Sequence, residues 1–236
     1  MFEGFTRETS EFLWELTFHN ERPWFQEHRD QYMRVLHQPF HALGEDVLEI
    51  MRRDYPLSNF TLHVSRIYRD ARRLFGRGPY KDHLWFTIFN GDNRHSEGPS
   101  FWFELSASTF SYGLGFFDIT PAEMDAFRSS IDANPARFER LVSQAGKLRG
   151  FRLIGQEYKR KKKDVGPALN PWYNRKNIGL EHIKDFDPAL LGPELVRTLT
   201  RTYDRLMPLY DYFEECCRSV REHNHDELRR IDDGRE

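Results

Sequence analysis

Between Leu62 and Phe117 the apolar residues repeat with a period of two, in four short runs: Leu62–Tyr68, Leu84–Phe89, Phe101–Ser106 and Thr109–Phe117. Such alternation places successive side chains on opposite faces of a strand. The links carry turn residues, Ser106-Ala-Ser108 and Asn90-Gly91-Asp92-Asn93 among them. Parallel pairing would need a long crossover between each run and the next, so tight links predict an antiparallel sheet.

Helical signals flank this block. Thr6 can cap a first helix with Glu8 in its opening turn and Phe12, Leu13 and Leu16 as its inner stripe. The run His19–Phe25 breaks that helix and starts a second one, with Phe25, Tyr32, Val35 and Leu36 facing inward. Pro39 ends it or opens another, whose face carries Phe40, Leu43, Val47 and Ile50. Downstream, Thr120-Pro-Ala-Glu123 is a capping box with proline at the first helical position, and Asn134-Pro135 starts a further helix that Gly146 ends. Phe151–Tyr158 and Asn177–Ile183 offer more strands. Asp187-Pro188 and Gly192-Pro193 mark helix starts, and the last helix is expected to kink at Pro208. The expected fold is α+β: a single domain over residues 1–217, with a mainly antiparallel sheet of about five strands packed with helices from both ends of the chain. Residues 218–236 are expected to form a charged C-terminal tail, frayed or disordered.

A chain of 236 residues can bury one sizeable core. A net charge of -2 and a pI near 6.6 argue against a chain-wide nucleic-acid or membrane-surface protein while permitting a local basic patch. No apolar run approaches the roughly 20 residues needed to span a bilayer. Met1-Phe-Glu-Gly-Phe has no basic region followed by an apolar core, so no secretory signal is expected. Cys216 and Cys217 are adjacent and cannot pair in ordinary disulfide geometry, so a reducing, cytoplasmic setting is expected.

Chemistry concentrates in Arg66-Ile-Tyr-Arg69-Asp70-Ala-Arg72-Arg73-Leu-Phe-Gly76-Arg77-Gly-Pro-Tyr80-Lys81-Asp82-His83, which joins the first two strand runs. Six cationic side chains and two aspartates converge on one connection. Arginine's planar, permanently charged fork suits carboxylate or phosphate. Strand periodicity puts Arg66 on the face of Val64 and Tyr68, with Arg69 on the other, and Asp70 can hold one guanidinium in place. Tyr80, Lys81 and His83 follow the turn and could complete a site, His83 being the only one that titrates near neutral pH.

This stretch resembles the DUF2461 family of conserved hypothetical proteins, whose mark is R-x-x-R-D-x-R-F followed shortly by an acidic or Asn residue, Lys and a Tyr. Arg66, Arg69, Asp70, Arg72 and Tyr80-Lys81 carry the match. Further matches are Phe5, Asn20, Trp24-Phe25, Tyr32, Gly113, Gly115, Arg128, Ile131 and Pro208-Leu209. The chain departs at Arg73, where the family has Phe, at Gly76, where it has Asp or Asn, at Arg77 for Lys and at His19 for Asn. The resemblance implies no reaction, cofactor or catalytic residue.

Elsewhere, the run Lys159–Lys163 is either a solvated loop or a nucleic-acid patch, with Tyr158 and Trp172 near enough in sequence to stack a base. His37 and His41 have the four-residue spacing of helical metal ligands, but Pro39 lies between them, and His223 and His225 fall in the charged tail. No metal site and no cofactor is expected. No G-x-S-x-G, P-loop or complete dinucleotide-binding glycine pattern occurs. Glu104 points away from Phe103 and Leu105 and could face the arginines as acid or counter-ion.

Three functions are compatible with these residues. The first is binding of an anionic, phosphorylated or carboxylated small molecule by Arg66, Arg69, Arg72, Tyr80, Lys81 and His83, with Asp70 as orienter. If the site is catalytic, His83, Asp70 or Glu104 would be the acid or base. The second is a nucleic-acid or nucleotide-binding module that adds Lys159–Lys163. The third is a structural or interaction protein whose Arg/Asp network only stabilises the turn. Nothing points to a membrane partner.

Overall fold

The computed structural model describes residues 1–70, 72, 74, 76–91 and 98–233, the last eleven of these by their backbone. The alternating runs become strands β1 (Phe60–Val64), β2 (His83–Asn90), β3 (Ser100–Ser106) and β4 (Thr109–Phe116), joined later by β5 (Phe151–Ile154) and β6 (Ile178–Asp185). They form one open antiparallel sheet in the order β1-β2-β3-β4-β6-β5. The count is six against about five, and β5 keeps only the first four residues of the expected Phe151–Tyr158 run. Register between the first two strands runs from Phe60 opposite Asn90 to Val64 opposite Phe86.

The helices are α1 (Arg7–Phe18), α2 (Arg22–Glu27), α3 (Arg29–Tyr32), α4 (Gln38–Asp54), α5 (Pro121–Ala133), α6 (Pro135–Ala145), α7 (Asn170–Tyr173) and α8 (Glu194–Asp233). The capping box holds: the Glu123 N–H donates to Thr120 Oγ1 at 3.2 Å and the Thr120 N–H to Glu123 Oε2 at 2.8 Å. Asn134 caps α6 through the Arg137 N–H, and Gly146 follows its last residue. Asp187-Pro188 makes only a turn, bound by the Leu190 N–H to the Asp187 carbonyl, and the last helix begins after Gly192-Pro193. Pro208 lies inside α8, which runs on to Asp233, so the boundary expected at residue 217 falls within a helix. No helix among the described residues is long and apolar enough to cross a membrane.

The chain resolves into two compact units. One holds the N-terminal segment through β2, Phe101–Gly113 and His182–Asp204. Its core is a ring cluster in which Phe40, Phe86 and Phe103 sit 5.6–5.7 Å apart, with Phe5 stacked on Phe103. The other holds Leu114–Glu181 and α8 from Arg205; there Phe127 meets Phe138 and Phe213 edge to face, Trp172 meets Phe138 edge to face, and Tyr212 lies tilted on Phe138. Such pairs add about 0.5–1.5 kcal/mol each beyond the area they bury. Cys216 and Cys217 are buried and unbridged, and burial pushes the Cys216 thiol up to about 12, which leaves it unreactive.

Pro39 does not interrupt the helical path as its ring would in an ordinary helix interior. A π-helical turn, Met33–His37, precedes α4 and places Pro39 in that helix's first turn, where its missing N–H costs little. The Thr9 hydroxyl donates to the Val35 carbonyl within this turn, at 2.8 Å. His37 and His41 consequently meet, ring centroids 4.4 Å apart, although Pro39 lies between them in sequence.

Candidate functional site

The Arg66–His83 connection is not a loose loop. β1 ends at Val64, but the antiparallel ladder resumes beyond it. The Ser65 N–H donates to the Trp85 carbonyl, Lys81 to Ile67 and Arg69 to Pro79, all at 2.8 Å, and Tyr68 bridges Tyr80. Alternation persists along the arm: Ser65 and Ile67 are buried, whereas Arg66 and Tyr68 face outward together. Gly76, in the turn, has φ +79°. Glycine tolerates this left-handed backbone best, so Gly76 meets a steric requirement of the turn.

Asn20, 60 residues upstream, clamps the arm. Its Oδ1 accepts the Tyr80 N–H at 2.9 Å and its Nδ2 donates to the Tyr80 carbonyl at 3.0 Å, as a neighbouring strand would. Arg69 Nε donates to the same carbonyl at 2.6 Å, and Arg69 Nη2 reaches Asp82 at 3.2 Å. The Tyr80 ring is 1% exposed and stacks on Phe25 at 4.1 Å, with Tyr68 at 5.2 Å. Tyr80 is therefore first a packing residue.

The other expected site residues divide. Asp70 accepts from the Arg72 N–H, Nε and Nη2 at 3.0–3.1 Å, an orienting role on an exposed guanidinium. His83 Nδ1 lies 2.9 Å from Asp82 Oδ1. Burial would raise the Asp82 carboxyl, but the hydrogen bond from His83, a backbone N–H and the charges of His83 and Arg69 hold it below its usual range. Burial, then the charges of Arg69 and Arg66, pull Lys81 below the ordinary lysine range, and its ammonium rests 5.8 Å from the Trp85 ring centroid. Among the described residues, the Arg66 guanidinium has no ion pair or hydrogen bond. Glu104 is half-buried on β3. Arg73 lies outside the described residues, as do Asp92 and Asn93 of the expected turn and the side chains of His223 and His225.

Beside the arm opens a cleft of about 290 Å³ lined by Arg22, Gln26, Tyr68, Arg69, Leu74, Pro79 and Tyr80. Of the seven expected ligand-binding residues, Arg69 and Tyr80 reach it; Arg66, Asp70, Arg72, Lys81 and His83 do not line it. Arg22 and Gln26 complete it from α2, one helical turn apart. Sequence reasoning missed both, because residues 19–25 show a break in the helix but not what that break faces. Among the described residues Arg22 carries no ion pair or hydrogen bond, and neither does the Tyr68 hydroxyl.

The basic run folds differently from a stacking platform. Trp172 is buried against Phe138, 5.5 Å between centroids, and offers no face to a base. Tyr158 is surrounded by cations: Lys162 at 4.8 Å, Arg128 at 5.3 Å and Lys176 at 5.7 Å. Lys163 pairs with Asp132 at 2.8 Å, and Asn174 Oδ1 accepts the Lys162 and Lys163 N–H groups. Among the described residues no group of three or more His, Cys, Asp or Glu is placed to hold a metal ion.

No curated protein matches the chain. A family model described as a conserved hypothetical protein, DUF2461, matches residues 8–212, and the chain belongs to that family.

Proposed function

We propose that this protein binds a small anionic ligand, phosphorylated or carboxylated, in the cleft between α2 and the Arg66–His83 arm. The observation that carries the reading is the pairing of an anchored arginine with one that is uncommitted among the described residues. Arg69 is held rigid by the Tyr80 carbonyl and Asp82, while Arg22, whose guanidinium has no ion pair or hydrogen bond among the described residues, lines the same 290 Å³ space. Preorganised donors beside an uncommitted one suit an oxyanion, because little side-chain freedom is lost when the ligand arrives. Burial first, then the charges of Arg69 and Arg66, hold Lys81 below its ordinary range, so part of the shift comes from neighbouring cations on this arm.

The test is a thermal-shift screen with inorganic phosphate, phosphosugars and small organic acids on wild type and Arg22→Gln. A ligand at about 100 times its Kd adds about 2.7 kcal/mol, or roughly 5 °C or more in Tm for a chain of this size. Arg22→Gln, at an exposed position, should leave the unliganded Tm unchanged and abolish the shift. If no anion shifts wild type, or if the variant shifts equally, the cleft does not bind anions through Arg22.

A further inference from the structure

We infer that the ligand of this cleft carries a planar ring beside its anionic group, as a nucleoside monophosphate or an aromatic carboxylate does. The inference rests on the anion-binding reading of the same cleft. The lining of the cleft combines two chemistries. Arg22, Arg69 and Gln26 supply guanidinium and amide groups; Tyr68, Leu74, Pro79 and Tyr80 supply apolar surface.

Tyr68 is the decisive residue. Its backbone is fixed by the bridge to Tyr80, and one part of its ring is packed against Phe25 and Tyr80, at 5.9 and 5.2 Å. Even so, the side chain remains 51% exposed at the lip of the cleft. An aromatic face that is held in place yet open to solvent is an unused stacking platform, costing little entropy to engage. Gln26, whose side chain makes no hydrogen bond among the described residues, offers both a donor and an acceptor to a ring's polar edge. The volume sets an upper bound. About 290 Å³ lies at the bottom of the range for ligand sites, room for one ring and one phosphate or carboxylate rather than a dinucleotide.

The experiment is isothermal titration of the full chain with adenosine 5′-monophosphate, inorganic phosphate, benzoate and acetate. Stacking on Tyr68 should make the monophosphate bind about tenfold tighter than phosphate, or benzoate about tenfold tighter than acetate, and whichever pair shows the gap identifies the source of the ring. Tyr68→Leu should remove that gap and leave phosphate or acetate binding unchanged. Tyr68→Phe should keep it, which guards against a loss caused by misfolding. If the ring-bearing probes bind no tighter than phosphate and acetate, the ring inference is overturned while the anion site stands. If none of the four binds, the anion site itself falls.

Discussion

The side-chain amide of Asn20 binds both backbone polar groups of Tyr80, accepting at 2.9 Å and donating at 3.0 Å, and so acts as one residue of a strand supplied from outside the sheet. Gly78 makes room for it: a Cβ there would collide with the Asn20 amide. Asn20→Ala leaves the Tyr80 carbonyl its bond from Arg69 but orphans the N–H, and should cost about 1–3 kcal/mol. Gly78→Ala forces the same amide out. Because both changes break one pair of bonds, urea unfolding of the double variant should show a loss smaller than the sum of the two. Full additivity would mean that Gly78 serves some other purpose.

Arg69 and Arg66 look alike in sequence and should behave oppositely. Arg69 is 15% exposed and binds a carbonyl and a carboxylate, so Arg69→Ala should cost about 2–3 kcal/mol. Arg69→Lys should recover little, since an ammonium cannot reproduce the fork. Arg66 is exposed and unpaired among the described residues, and Arg66→Ala should stay within about 0.5 kcal/mol of wild type. Equal denaturation midpoints for the two alanine variants would refute the assignment of Arg69 as the anchor.

What the sequence made legible follows from how local each signal was. Thr120–Glu123 contains its own partners within four residues, and the alternation of Thr109–Phe116 needs only its own pleat, so both were readable. Asn20 meets Tyr80 across 60 residues, and no local pattern encodes that encounter. Arg22 and Gln26 reach the cleft only because the Arg66–His83 arm folds back as a ladder instead of a loop. Trp172 has the same composition signal whether it is a stacking platform or a core ring; Phe138 decides it. That cationic side chains gather on the Arg66–His83 connection was legible; which residues line the cleft beside it was not.

His37 gives a pH dependence. Burial, then the charge of His41, holds it below its ordinary value of about 6.5, and Tyr32 and His41 are the rings that face it. The unfolded chain takes up this proton near the ordinary value, the folded chain only at lower pH. Through that window the unfolded state binds more protons, so stability falls as pH falls. The contribution is complete above about pH 7 and lost once the folded pKa is passed. His37→Gln should therefore lose less stability than wild type between about pH 7.5 and pH 5 in urea melts. Parallel curves for the two proteins would show that His37 titrates normally. His182, depressed by burial and then by Lys184, is present in both and cancels in the comparison.

Arg128 should prove as irreplaceable in its own unit as Arg69 is beside the cleft. It projects from α5, is buried, and donates from Nε to the Tyr173 carbonyl at 3.2 Å and from Nη2 to the Arg175 carbonyl at 3.1 Å. Asp125, one turn earlier, takes Nη1 at 3.0 Å, and the Tyr158 ring lies 5.3 Å from the guanidinium carbon. One planar group thus ties α5 to the backbone that leads from α7 into β6. Arg128→Met keeps the apolar stem but strands two carbonyls, and should cost about 2–4 kcal/mol. Arg128→Lys keeps the charge, yet a single ammonium cannot span both carbonyls and lie flat on the ring, so it should lose nearly as much. Chemical denaturation of the two variants settles the point: a lysine variant within about 0.5 kcal/mol of wild type would reduce Arg128 to a charge, and the fork geometry would then not matter.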